Sequence, residues 1–308
     1  MTTPPTSPSP STRVPSFGLI IVGDEILSGK RQDKHLPKVI ELLAARGIAL
    51  DWAEYVGDSP ERITATLKRA FASGDIVFST GGIGATPDDH TRQCAAKALG
   101  VALALHPEAE VLIRQRMQDI AKEQGTQYLP DAPDNIHRLN MGTFPVTAQI
   151  IPNPYNKIPG FYILGSSQFS AGPPQGKLVP SGGSDPHAVG ERGGVFFVPG
   201  FPVMAWPMVE WVLDTVYPQW HRKQANVEKS VIVFGAMEAA LTPLMLRLET
   251  DFSGIKVFSL PSVDHPQHGR HIELGVKGAP ALVEAAYPAL RKGLEKFTTE
   301  LGPELVRD

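Results

Sequence analysis

The sequence predicts an α/β protein: a three-layer α/β/α sandwich around a mostly parallel sheet, followed by a small α+β domain. Three observations predict it. Between residues 17 and 100, short apolar strand-like runs alternate three times with amphipathic helical segments. The linkers are short and the helices serve as crossovers, which makes the strands parallel and covers both faces of the sheet. Around residues 217–226 the pattern resets, and a β-α-β-β-α unit follows.

Bulk properties narrow the class. The 308 residues suffice for one large domain or two ordinary ones. With 42% apolar and 20% charged residues, the chain can bury a sizeable core. A net charge of -3 gives no general attraction to nucleic acid or anionic membrane, so neither is an expected partner. Cys94 is the only cysteine, which rules out an intrachain disulfide and fits a cytoplasmic location. Residues 1–16, MTTPPTSPSPSTRVPS, lack the apolar core of a signal peptide and are expected to be a disordered tail. No apolar run approaches the roughly 20 residues of a membrane span.

Residues 17–23, FGLIIVG, read as a buried strand that ends in glycine. Asp33 is placed to cap the next helix, with Leu36, Val39, Ile40 and Leu43 on one face and Gly47 as its stop. Residues 48–55 read as the second strand. Ser59-Pro60-Glu61 supplies an N-cap, a first-turn proline and an acid; Ile63, Leu67, Ala70 and Phe71 line that helix, and Gly74 ends it. Residues 75–80, DIVFST, are the third strand. Thr86-Pro87-Asp88-Asp89 then reads as a helix start with Thr86 as N-cap, the helix running to Leu99. Residues 106–125 form another helix. Residues 166–194, rich in Gly, Pro and Ser, are expected to be a mobile insertion. Residues 195–200 read as a buried strand and 202–216 as a helix. Beyond the reset come a strand at SVIVFG, a helix over 237–251, strands over 255–260 and 271–276, and a final helix over 280–301. The expected division is a tail (1–16), an α/β domain (17–222) and a small α+β domain (223–308).

In open parallel sheets, ligands bind beyond the carboxyl ends of the strands. GDEILSGK, VGDSPE and TGGIGATPDD follow the first three strands and so share one edge. Gly81, Gly82 and Gly84 allow positive φ and close approach of backbone N–H groups, and a helix start adds free donors. The loop is neither a Walker motif nor a strict G-x-G-x-x-G. Alone, it fits a plain strand-to-helix turn as well as a phosphate cradle.

The motifs GDEILSGKRQD, VGDSPERI and TGGIGATPDDHT, in this order and at this spacing, resemble the molybdopterin-binding (MoaB/Mog-like) domain superfamily. The nearest likeness is to the N-terminal region of CinA-type competence/damage-inducible proteins and to the molybdopterin-binding-like domain of FAD synthases. IPNPYNKIPGF and FFVPGFPVMAWPM extend it, and the second domain resembles the KH-like domain of CinA-type proteins. Ala85 stands where the family usually has proline. The resemblance implies that Asp58 and Asp89 are catalytic and metal-binding acids. With the loop pattern, it gives Gly23, Asp24, Glu25, Gly81, Gly82, Gly84, Thr86, Thr91, Asn153, Pro199 and Gly200 as expected ligand-binding residues. Carboxylates gathered beside a phosphate repel one another unless a divalent cation, here of magnesium or cobalt type, lies between them.

The first expectation is therefore binding of a phosphorylated pterin or adenine dinucleotide, with metal-dependent pyrophosphate hydrolysis of the ADP-ribose or FAD type. The second is molybdenum cofactor biosynthesis, with molybdopterin as ligand, by adenylyl transfer or metal insertion. The third is a non-catalytic nucleotide-binding module. The resemblance also implies a homo-oligomer, a dimer or trimer. The sequence stops after the small domain, so neither nicotinamide-mononucleotide deamidase nor FAD synthetase activity is expected.

Other features read as structural. His265, His268 and His271 fall in a turn between strands, at a spacing that fits no standard zinc pattern. Cys94 is expected in the core. Trp206, Trp211 and Trp220 are expected to pack domains or subunits together. Tyr155 and Phe161 are candidates for lining a base pocket.

Overall fold

Every residue of β1 (Phe17–Val22), FGLIIV, is buried. The same holds for β3 (Ile76–Thr80) and β8 (Gly194–Val198). Strands buried at successive positions need cover on both faces, and that defines the layering of this protein. The computed structural model describes residues 15–165, 193–221, 226–297 and 300–307. Residues 1–14 of the expected tail (1–16) and 166–192 of the expected insertion (166–194) lie outside the described residues, and Gly194 already belongs to β8. Two compact units result: Met1–Leu43 with Ala49–His221, and Ala44–Ile48 with Arg222–Asp308.

In the first unit the sheet order is β2-β1-β3-β8-β7-β6. Strands β2 (Trp52–Val56), β1, β3 and β8 are mutually parallel. β7 (Gly160–Leu164) runs antiparallel to β8, and β6 (Gln149–Ile151) antiparallel to β7. α1 (Asp24–Leu27) and α2 (His35–Ala44) join β1 to β2, and α3 (Pro60–Ser73) joins β2 to β3. α4 (Thr91–Leu99) follows β3. β4 (Leu103–Leu105) and β5 (Thr143–Pro145) pair as a small ribbon bracketing α5 (Pro107–Glu123) and α6 (Pro133–Leu139). α7 (Pro202–Thr215) follows β8.

Local chemistry accounts for most boundaries. Asp33 accepts from the N–H groups of His35 (2.8 Å) and Leu36 (3.1 Å) at the start of α2. Ser59 accepts from the N–H of Arg62 at the start of α3, and Gly74, at φ +76°, ends it. Three expectations are corrected. Ile40 is 47% exposed, because the buried face of α2 passes through Val39, Leu42 and Leu43. The second strand begins at Trp52, not at residue 48. Phe161 lines no pocket: it is fully buried and stacks 4.6 Å from Phe144 and 4.3 Å from Phe197. Its register opposite Phe197 turns the ring into the core. Cys94 is buried, with its thiol on the Pro60 carbonyl.

The second unit is a four-stranded sheet, β10-β11-β9-β12, with two helices. Its elements are β9 (Val227–Val233), α8 (Glu238–Asp251), β10 (Lys256–His265), β11 (Gly269–Gly278), α9 (Pro280–Leu294) and β12 (Leu301–Arg307). The expected final helix to residue 301 is corrected here: α9 ends at Leu294, and the chain returns as an antiparallel strand on β9. Gly302 and Pro303 cannot continue a helix, and proline is tolerated because β12 is an edge strand with a register shift between Leu301 and Glu304. His265, His268 and His271 lie at the β10–β11 turn, their ring centroids 5.1 to 5.6 Å apart.

β12 is tied down by charge. The buried Glu273 carboxylate accepts from Ser230 Oγ (2.6 Å) and from both terminal nitrogens of Arg307. The Arg307 hydrogen bonds hold its pKa below the usual carboxylate value. A depressed folded-state pKa adds stability that is present above the unfolded value and is lost as pH falls through the folded one. Arg307→Ala should therefore cost about 1–2 kcal/mol at pH 7, at the lower end because Arg307 is half exposed. In urea melts, the gap between variant and wild type should close as pH falls below the carboxylate range.

Candidate functional site

The carboxyl ends of β1, β2, β3 and β8 all point to one edge, and antiparallel β7 starts there. The strand order reverses around β1, which opens a crevice between the loops. A cavity of about 540 Å³ lies at this edge, within the first unit. Gly23, Glu25, Asp58, Gly81, Gly82, Gly84, Thr86, Asp89, Asn153, Pro199 and Gly200 all line it.

The glycine loop forms one wall. Gly81 (φ +94°) and Gly82 (φ +69°) take left-handed backbone conformations. Four of the loop's carbonyls are held by the protein. Gly81 O accepts from Thr91 Oγ1 (3.1 Å), Gly82 O from Thr91 N (3.0 Å), Gly84 O from Arg92 Nη2 (2.7 Å), and Ala85 O bonds His137 Nε2 (2.8 Å). Among the described residues, no acceptor takes the N–H groups of Gly82, Ile83, Gly84 or Ala85. Successive free amides beside positive-φ glycines make an anion-binding concavity.

The expected helix start at Thr86 is corrected. α4 begins at Thr91, and Thr86-Pro87-Asp88-Asp89 is a separate turn. Asp89 Oδ2 closes that turn by accepting from Thr86 N (2.8 Å) and Thr86 Oγ1 (2.5 Å). Asp89 is thus a turn cap with its other oxygen to spare, not a helix cap.

Asp58 and Asp24 brace each other: Asp24 N donates to Asp58 Oδ2 (2.8 Å) and Asp58 N to Asp24 Oδ1 (3.1 Å). Burial pushes the Asp58 pKa up, and the charges of Asp24, Asp88 and Asp89 add to the rise; the Asp24 N–H opposes it. Two expected ligand-binding residues are not in the lining: Asp24, and buried Thr91, whose hydroxyl donates to the Gly81 carbonyl. Asn153 does line the cavity, but its amide is consumed locally, by Asn156, Ile158 and Tyr155. Tyr155 is 62% exposed and outside the lining.

Three further residues at or beside the site carry no motif of their own. Arg31 is the one lysine or arginine in the lining, paired with Glu25 at 3.5 Å. His35 lines the cavity from the first turn of α2. Arg92 is 4% exposed, bonded to the carbonyls of Gly84 and Asn140. Arg31 and His35 sit just beyond the GDEIL motif, where a short helix returns the chain to the crevice. Arg92 follows Thr91, but only its burial marks it. Arg92→Met keeps the stem and strips the donors, so it should cost about 1–3 kcal/mol in thermal unfolding.

The fold and this edge define a class: an open, mostly parallel α/β domain with a glycine loop of unaccepted amides next to carboxylates. The chain belongs to the family described as a probable molybdopterin binding domain, whose model matches residues 18–219. A CinA-like protein of Syntrophotalea carbinolica is 26% identical over 303 residues, covering 94% of this chain and 61% of that protein. A CinA-like protein of Gloeobacter violaceus is 33% identical over 146 residues, 47% of this chain and 32% of its own length. The chain thus spans about three-fifths of the first relative. Among solved structures, CinA of unknown function from Thermoplasma acidophilum is 23% identical, covers 66% of this chain and 99% of its own, and has a TM-score of 0.48. MoaB of Pyrococcus furiosus, described as a tungsten cofactor synthesizing protein, is 19% identical over 65% of this chain and 89% of its own, with a TM-score of 0.36. Among the described residues, no helix is long and apolar enough to cross a membrane.

Proposed function

We propose that the cavity binds a phosphorylated small molecule, a pterin phosphate or an adenine dinucleotide, and cleaves a pyrophosphate with the help of a divalent cation. The observation that carries the reading is the run of unaccepted amides from Gly82 to Ala85, in residues that line the same cavity as Asp58 and Asp89. The amides take the phosphate oxygens, and Arg31 adds positive charge at the lining.

Among the described residues, no three His, Cys, Asp or Glu side chains stand together as a metal cage. A cobalt- or zinc-type protein cage therefore does not fit. A magnesium-type ion does, because it is held by one or two carboxylates plus phosphate oxygens and water. Asp58 and Asp89 would hold it, and a cation there would offset the burial and the neighbouring negative charges that raise the Asp58 pKa. When bound, the ion supplies Lewis acidity and a water of lowered pKa. The residues orient the diphosphate across the glycine loop, and the apolar lining of Ile26, Met141, Ile158 and Met204 thins the water around it.

Incubation with ADP-ribose, FAD or molybdopterin plus magnesium and ATP tests the reading. AMP release from a dinucleotide supports it. Adenylylated pterin would move the protein to cofactor biosynthesis, a reading favoured by the family description. Binding without turnover would leave a binding module.

A further inference from the structure

Among the described residues, two polar atoms of side chains that line the cavity are buried and unpaired. Thr80, at the end of β3, is 1% exposed, and its Oγ1 has no partner. His35 is 5% exposed, and its Nδ1 has none. Both residues line the cavity. The other half of the His35 ring is committed: Nε2 lies 2.9 Å from the carbonyl oxygen of Gly200. A carbonyl only accepts, so Nε2 carries the proton and the neutral ring leaves a lone pair on Nδ1. The residue cannot turn away easily. Its backbone N–H is held by Asp33 Oδ1 at 2.8 Å, and the ring tethers the Pro199–Gly200 loop across the crevice.

We infer that His35 Nδ1, with Thr80 Oγ1, recognises a neutral hydrogen-bond donor on the ligand, a hydroxyl or ring N–H, at the part of the molecule away from its phosphate. This rests on the proposed phosphate-binding role of the cavity. It deepens that role by dividing the cavity chemically. The Gly82–Ala85 amides and Arg31 read anionic oxygen; His35 and Thr80 read a neutral O–H or N–H. Inorganic phosphates lack the second feature, whereas a nucleotide sugar or a pterin lactam carries it. His35 is thus a specificity-determining residue, and buried acceptors discriminate well because a ligand without the donor leaves them unpaired.

The bland alternative is that His35 only tethers the Gly200 loop. His35→Gln separates the two, because its amide can still donate to Gly200 O but offers nothing where Nδ1 stood. Calorimetry on the full chain uses two probes, ADP-ribose and pyrophosphate, each with magnesium. His35→Gln should weaken ADP-ribose by about tenfold, the value of one lost hydrogen bond, and leave pyrophosphate within about twofold. In wild type, side-chain ¹⁵N spectra should show the Nε2–H tautomer, with the Nδ1 resonance moving on addition of ADP-ribose and not of pyrophosphate. Equal losses for both probes, or a protonated Nδ1 in the free protein, overturn the inference. Binding of pyrophosphate but not ADP-ribose to wild type overturns it alone. Binding of neither overturns the phosphate reading as well.

Discussion

Asp89→Asn should lower the rate of AMP release from ADP-ribose by about 10²- to 10³-fold while leaving the fold intact, if the proposed cleavage holds. The asparagine oxygen can still accept from Thr86 N and Thr86 Oγ1, which close the 86–89 turn. The melting temperature should hardly move, as for substitutions that keep their hydrogen bonds. What is removed is charge. Asp89 is among the carboxylates that raise the Asp58 pKa, so the Asp58 titration should move to lower pH in the variant. That shift is a readout independent of turnover, measurable by carbon NMR. Asp89→Ala is the poorer probe, since it opens the turn as well. Unchanged turnover in Asp89→Asn would reduce this residue to the turn cap it visibly is.

Gly82→Ala should have the second-largest effect. At φ +69°, a side chain is strained wherever it points. Here an added Cβ would also lie 2.1 Å from Thr91 Oγ1, the hydroxyl that anchors the Gly81 carbonyl. Relief requires either the loop or the start of α4 to shift. We expect a loss of about 1–3 kcal/mol of stability. We also expect pyrophosphate binding to fall by about tenfold or more, because amides displaced from a preorganised nest no longer converge. Gly100→Ala is the control. It has the same φ of +69°, with nothing within 4 Å of the added carbon. It carries the backbone strain without the collision, so it should lower stability and spare binding. Equal binding losses in both variants would mean that strain, not loop geometry, is responsible.

The sequence alone was enough for the alternation of strands and helices up to residue 100, because local signals carry it. Glycine stops, the Asp33 and Ser59 caps and unbroken apolar runs are each written within a few residues. The candidate edge was legible for the same reason: three motifs that follow parallel strands must share an edge. The misses have a common cause. Thr86-Pro87-Asp88-Asp89 satisfies every local rule for a helix start, yet Asp89 folds back on Thr86 and the helix waits until Thr91. Phe161 stands beside a polar loop in sequence, but its pairing opposite Phe197 decides which way the ring faces. β12 is a strand only because β9 offers it an open edge.

Which carboxylate braces which, and which donors remain free, lay beyond the sequence. Asp58 and Asp24 are 34 residues apart and clasp each other's backbone. His35 reaches Gly200 across 165 residues, and Arg92 reaches Asn140 across 48. Such pairings depend on where strands end in space, which spacing along the chain does not encode. The sequence by itself determined the fold class and the edge that carries the three loop motifs, because those follow from periodicity, and the motifs themselves carried the family resemblance. Only the tertiary structure decided that the loop's carbonyls are taken and its amides are not, because that balance is set by side chains arriving from distant elements.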